Sequence, residues 1–287
     1  MSNDRLGTTI IDELRLCFTA EPEFLQTLSL INLGERLDLE NFSIIRTISD
    51  HFRYYYMVLN KEHHIVAYFY FGRNGDYDSN YFWVKIENKI LYNQPQLIDV
   101  LNDIQTSFPI DFNNISKLDI AQDYTKNIAY TILRLIHNKS LKTIINGRVI
   151  KERKKTIKGL RIEYESDSDR IKNPTVTISQ QEAIHNKRKG ITVQAYNKKA
   201  EIEVSGKNYI SEFYGNPKTL HRLEIRLNSD EIRDYYKKHN KYQSISDIFN
   251  RDWLSDIFYY HLGSVIRFTR GRKPIKWQDI LCTASTR

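Results

Sequence analysis

Hydrophobic positions change period several times along the chain, and each change predicts a different element. Residues 9–33 carry Ile, Leu and Phe at helical spacing, with Glu21-Pro22-Glu23 marking a helix start. From Phe42 the pattern turns to β-branched and aromatic runs at 44–48, 54–59, 65–71 and 81–86. Asn60-Lys61-Glu62 and the glycines at 72 and 75 punctuate these runs, as turns between antiparallel strands do. Leu97, Val100, Leu101 and Ile104 return to helical spacing and predict a helix over 97–107. A strand over 115–123 and a helix over 128–137 follow. Strand-like segments then lie near 141–150, 160–164, 175–179, 191–197 and 221–227, and residues 230–268 read as mostly helical. A strand-and-helix grouping occurs twice, before and after residue 110. This order predicts an α+β fold: two antiparallel-sheet, RRM-like units with flanking helices and a helical C-terminal tail. The expected divisions are 1–110, 111–235 and 236–287.

Composition narrows the function classes. With 287 residues, 40% hydrophobic and 27% charged, the chain can bury a core and is no low-complexity sequence. No run of about 18 apolar residues occurs, so no membrane span is expected. The opening Met1-Ser-Asn-Asp-Arg5 leads into no signal-like apolar run. Cys17 and Cys282 lie at opposite ends and make no metal or disulfide framework, so the expected location is cytoplasmic. The 43 Lys+Arg outnumber the 35 Asp+Glu by eight, which suits nucleic acid without selecting it. There is no GxxxxGK[ST], no GxGxxG after a strand, no CxxC, no HExxH and no nucleophile elbow. His63-His64 falls beside a turn and reads as solvated.

Three strand-like segments remain as carriers of chemistry. In Lys117-Leu-Asp-Ile-Ala-Gln-Asp123, a period of two sets Asp119 and Asp123 opposite Leu118 and Ile120. In the segment from Gly190 to Glu201, Thr192, Gln194, Tyr196 and Lys198 oppose Ile191, Val193 and Ala195. In His221-Arg-Leu-Glu-Ile-Arg-Leu227, Arg222, Glu224 and Arg226 are expected to face outwards. If these strands are neighbours, one face gathers carboxylates, cations and a tyrosine. Carboxylates can hold Mg²⁺ or Mn²⁺, which polarises a phosphodiester oxygen. A tyrosine helped by a cation or base can attack phosphorus, leaving a 5′-phosphotyrosine and a free 3′-hydroxyl. Mixed charges are also ordinary on the exposed face of an antiparallel sheet. Three basic stretches, at 151–158, 185–189 and 267–273, could take phosphates, and Lys187, Arg188 and Lys189 stand just before the tyrosine segment. The aromatic runs at 54–56 and 68–71 could stack bases or simply pack a sheet.

Val193-Gln-Ala-Tyr-Asn-Lys-Lys-Ala-Glu201, then Arg222-Leu-Glu-Ile-Arg-Leu227, resembles the replication initiation factor (Rep_trans) family of rolling-circle initiators from plasmids and filamentous phages. Leu118-Asp-Ile-Ala-Gln-Asp123 is similar to that family's strand with two aspartates, and the resemblance spans roughly 45–235. It implies a metal-dependent DNA nickase and ligase with Tyr196 as nucleophile, and Asp119, Asp123 and Glu224 as ligands of Mg²⁺ or Mn²⁺. Lys198, Lys199, Arg222 and Arg226 would position the scissile phosphate, and Glu201 would orient Lys199 or assist the metal. The implied partners are a double-strand origin with its single-stranded nick region and a host helicase; the sequence leaves a homodimer open. A mobilisation relaxase and a non-catalytic DNA-binding regulator are the alternatives.

Overall fold

The protein is described by a computed structural model covering residues 5–73, 79–150, 159–164, 174–179 and 190–282. It opens with β1 (Arg5–Ala20), α1 (Pro22–Ser29), β2 (Arg36–Asp38), β3 (Ser43–Thr47), β4 (Phe52–Leu59), β5 (Ile65–Arg73) and β6 (Tyr81–Ile86). Next come α2 (Asn88–Leu91), α3 (Gln94–Ser107), β7 (Ile110–Tyr124), α4 (Ile128–Ile136), β8 (Lys142–Ile145), β9 (Arg148–Val149), β10 (Leu160–Tyr164) and β11 (Pro174–Ser179). The chain continues through β12 (Thr192–Asn197), α5 (Lys198–Ser205), α6 (Asn208–Phe213), β13 (His221–Asn228) and α7 (Ser229–Lys238). A 3-10 turn (Ile245–Phe249), α8 (Arg251–Val265), β14 (Ile266–Arg270), β15 (Lys273–Ile275) and α9 (Trp277–Cys282) complete it. The class is α+β, with mainly antiparallel pairing, and no helix among the described residues is long and apolar enough to cross a membrane.

The structure divides into two units, and neither is continuous in sequence. The tyrosine unit takes the described residues of Met1–Ile10, Asp119–Tyr235 and Asn250–Arg287. The aromatic unit takes Ile11–Leu118 and Tyr236–Phe249. The observed division therefore falls inside β1 and β7, where the sequence reading placed one at residue 110. In the aromatic unit the strands run β7-β1-β6-β5-β4-β3-β2. Leu16 pairs with Val84 and Phe18 with Phe82, and these side chains join Tyr56, Val58 and Phe69 in a fully buried layer. Phe24 of α1 and Phe108 just after α3 seal that layer, 5.8 Å from Phe82 and 5.2 Å from Phe69. In the tyrosine unit the strands run β10-β11-β12-β13-β7-β1, beside a smaller sheet of order β15-β14-β8-β9.

Two elements differ from expectation. Residues 9–20 form β1, not helix. The Ile10, Ile11, Leu14 spacing fits a helix locally, but Leu14, Leu16, Phe18 and Ala20 alternate, and pairing with β6 satisfies that alternation. The helix start at Glu21-Pro22 is where it was expected. The tail is not wholly helical: after α8 the chain turns into the hairpin β14–β15, with Arg270 opposite Lys273. Gly271 makes that turn at φ +59, a conformation that glycine adopts without strain. The basic stretch 267–273 is this hairpin.

Candidate active site

β12 and β13 pair antiparallel with Tyr196 opposite Arg222, Gln194 opposite Glu224 and Thr192 opposite Arg226. Directly opposed residues share a face, so these six side chains form one patch. β7 is the next strand beyond β13 and adds Asp119 and Asp123. The three segments singled out by alternation are thus consecutive strands of one sheet, and the patch lies within the tyrosine unit.

Its hydrogen bonds organise it into two groups. In the first, the Tyr196 hydroxyl donates to Glu224 Oε2 at 2.8 Å. Arg226 Nε donates to Glu224 Oε1 at 2.6 Å, and its Nη2 donates to Gln194 Oε1 at 3.1 Å. Asp119 Oδ2 stands 3.8 Å from Arg226 Nε. Burial alone would lower the pKa of Arg226, but Glu224 and Asp119 outweigh it and raise that value, so the cation is secured. In the second group, Arg222 binds Asp123 through two parallel bonds of 2.8 and 2.7 Å.

Burial overturns one expectation. Arg222 does not face solvent: it and Asp123 are 0% exposed, and Glu224 is 2% exposed. A fork-to-fork ion pair tolerates such enclosure because each charge meets its partner bidentately. Of the three residues expected outwards on β13, only Arg226 reaches solvent.

Lys198 is also placed differently. The strand ends at Asn197, whose side chain accepts from the Ala200 amide and caps α5. Lys198 therefore opens a helix, yet it stays beside the tyrosine, its Nζ 5.8 Å from the centroid of the Tyr196 ring. It is 2% exposed and pairs with Glu201 at 2.6 Å. Lys199 Nζ donates to Ser211 Oγ of α6 at 3.1 Å. Glu201 thus holds Lys198, not Lys199 as expected. Lys187, Arg188 and Lys189 lie outside the described residues, as does the stretch 151–158.

Gln194 had no assigned role in the sequence reading, although alternation set it on the same face; its bond to Arg226 gives it one. His221, opposite Asn197, takes the other face with Leu223, where burial lowers its pKa. His63 has φ +63 in an exposed turn that ends at His64.

The carboxylates divide in what they could hold. Asp123 gives both oxygens to the enclosed Arg222, so it does not fit a metal. Asp119 and Glu224 are arranged around one positive charge, the guanidinium of a side chain that is 47% exposed. That pair fits a divalent cation taking the place of Arg226. Among the described residues, no three His, Cys, Asp or Glu side chains converge as a ligand set.

No family model matches the chain, and no curated protein matches it.

Proposed function

We propose that the protein nicks and rejoins one strand of DNA through Tyr196, as a rolling-circle replication initiator acting at a double-strand origin. The observation that carries this reading is the 2.8 Å bond from the Tyr196 hydroxyl to Glu224, on a face where a half-exposed arginine and a lysine flank the ring. A phenol is a poor nucleophile at neutral pH unless a base takes its proton, and Glu224 is within reach to do so. Support also comes from the likeness of all three segments to the replication initiation factor family.

In this mechanism Arg226, the exposed cation of β13, receives the scissile phosphate. The Tyr196 oxygen bonds to phosphorus as its proton passes to Glu224. The bond from phosphorus to the 3′ oxygen breaks, and that oxygen leaves with the electron pair and takes up a proton. The 5′ end stays on Tyr196 until a 3′-hydroxyl attacks the phosphotyrosine and reverses the step. Lys198 keeps positive charge beside the ring as the phenolic oxygen loses its proton. Asp119 and Glu224 are the residues that would hold Mg²⁺ or Mn²⁺, whose contribution is to polarise a phosphoryl oxygen. Arg222 and Asp123 act by position, fixing β13 against β7. A host helicase would open the duplex for the exposed 3′ end.

The test is incubation with a supercoiled plasmid carrying the region around the gene, in Mg²⁺ or Mn²⁺. The wild type is expected to relax the plasmid and to carry labelled DNA through denaturing electrophoresis. Tyr196→Phe is expected to do neither, and nicking by that variant at the wild-type rate overturns the mechanism. A second reading, a DNA-binding regulator without cleavage, is favoured by the arginines that already neutralise Asp123 and Glu224. It expects binding unchanged in EDTA and no adduct with either metal.

A further inference from the structure

The aromatic unit has a second sheet face, opposite the layer sealed by α1 and Phe108. Register places Tyr55 opposite Tyr70, Tyr70 opposite Trp83, and Tyr68 opposite Lys85. The rings form a ladder: Tyr55 lies 5.8 Å from both Tyr68 and Tyr70 at 26°, and Tyr70 lies 6.1 Å from Trp83 at 5°. Every second residue of β6 beneath them, Phe82, Val84 and Ile86, is buried in the sealed layer, while Tyr81, Trp83 and Lys85 keep solvent access. Tyr55 and Tyr68 are likewise only partly covered. Tyr70, the middle rung, is buried with Phe52 packed 4.4 Å from it, whereas Tyr55, Tyr68 and Trp83 on either side stay partly exposed.

Cations border the ladder. Lys85 Nζ sits 5.5 Å over the Tyr68 ring, and Arg15, 37% exposed, lies opposite Lys85 on β1. Lys117 is the third, tied with Arg15 to Glu13. Burial and the neighbouring Glu87 carboxylate push the Tyr68 phenol up to about 12, so its ring is neutral at physiological pH. Partly exposed planar rings beside cations match the two parts of an unpaired nucleotide, the base and its phosphate.

We infer that this face binds single-stranded DNA, stacking about two or three bases on Tyr55, Tyr68 and Trp83 while Arg15 and Lys85 meet the phosphates. The choice of DNA over RNA rests on the nicking reading; the stacking chemistry does not. A duplex hides its base faces, so discrimination against it is intrinsic to the site.

The experiment measures fluorescence anisotropy of labelled oligothymidylate, its RNA counterpart and a duplex of the same length. Single-stranded DNA is expected to bind more tightly than the other two, and affinity is expected to fall with salt. Tyr68→Ala and Trp83→Ala are each expected to weaken it by about ten-fold. Tyr68→Phe keeps the ring and is expected to keep the affinity, which separates stacking from misfolding. Trp83 emission, read in a protein whose other two tryptophans are phenylalanine, is expected to be quenched on binding. Tyr196→Phe is expected to bind the oligonucleotide as the wild type does. Binding without any covalent adduct from the wild type would sink the nicking reading and leave this one standing. Three outcomes overturn the inference: unchanged affinity in both alanine variants, equal affinity for duplex or RNA, or a dimer that dissociates in those variants while DNA binding persists.

Discussion

β6 and β13 both alternate apolar with polar or amphipathic residues, yet the second faces of the two strands end in different surroundings. On β6, Phe82, Val84 and Ile86 are buried while Tyr81, Trp83 and Lys85 keep solvent access. On β13, Leu223, Ile225 and Leu227 are buried, and so are Arg222 and Glu224 across from them. The difference lies in what each face meets. Arg222 finds a carboxylate of matching fork geometry on β7, which lets both charges leave water. On the second face of the aromatic unit, Tyr55, Tyr68 and Trp83 meet other rings and a few cations and stay partly exposed, while Tyr70 between them is enclosed. Alternation therefore reports the side of the sheet; whether that side is wet depends on partners supplied from far along the chain.

The sharpest way to break this contrast is at the enclosed pair. Arg222→Met leaves Asp123 buried and unpaired, at an expected cost of about 3 to 5 kcal/mol in urea unfolding. Adding Asp123→Leu is expected to recover most of that loss. A cost under about 1 kcal/mol for the single variant would show that water reaches the pair.

A buried neutral histidine in the same unit gives the next effect. His261 on α8 is 3% exposed, packs against the rings of Tyr235 and Tyr260, and has no hydrogen-bond partner for either ring nitrogen among the described residues. Burial lowers its pKa to about 4 from 6.5. Its folded value lies below its unfolded one, so the unfolded chain binds the proton first as pH falls. Stability is full above about pH 6.5, declines below it, and stops declining near pH 4, with a total of about 3 kcal/mol. Thermal melts across that range should show the decline, and His261→Phe should flatten it.

The smallest effect is expected at Tyr68 on the open face, set against its buried neighbour. Phe69→Ala on β5 removes a ring from the sealed layer and is expected to cost about 3 to 5 kcal/mol. Tyr68→Ala, one residue away on the half-open face, is expected to cost under about 1 kcal/mol. Similar losses from the two, measured by urea titration, would mean that the face is covered.

Much of this arrangement could be read from residues alone. β12 and β13 were legible because Val193, Ala195, Leu223 and Ile225 alternate without interruption, and α4 because its apolar residues Ile128, Ile132 and Leu133 recur at helical spacing. The gathering of Tyr196, Glu224 and Asp119 on one face needed the strand order, which no local pattern contains. β1 was hidden because Ile10, Ile11 and Leu14 fit a helix until β6 supplies a partner. β14 was hidden because Ile266 and Phe268 extend the apolar character of α8 beyond its end at Val265. Lys198 was assigned to the strand because nothing in the alternation signals that Asn197 caps a helix.

The division inside β1 and β7 also bears on how the protein is made. The aromatic unit is complete once Phe249 has been synthesised, whereas the tyrosine unit still awaits Asn250 onwards. Domains generally fold as the growing chain supplies their residues. The aromatic ladder can therefore form before the sheet that carries Tyr196 is finished. Tyr196 would gain its completed setting last, when the α8 and β14–β15 segments arrive.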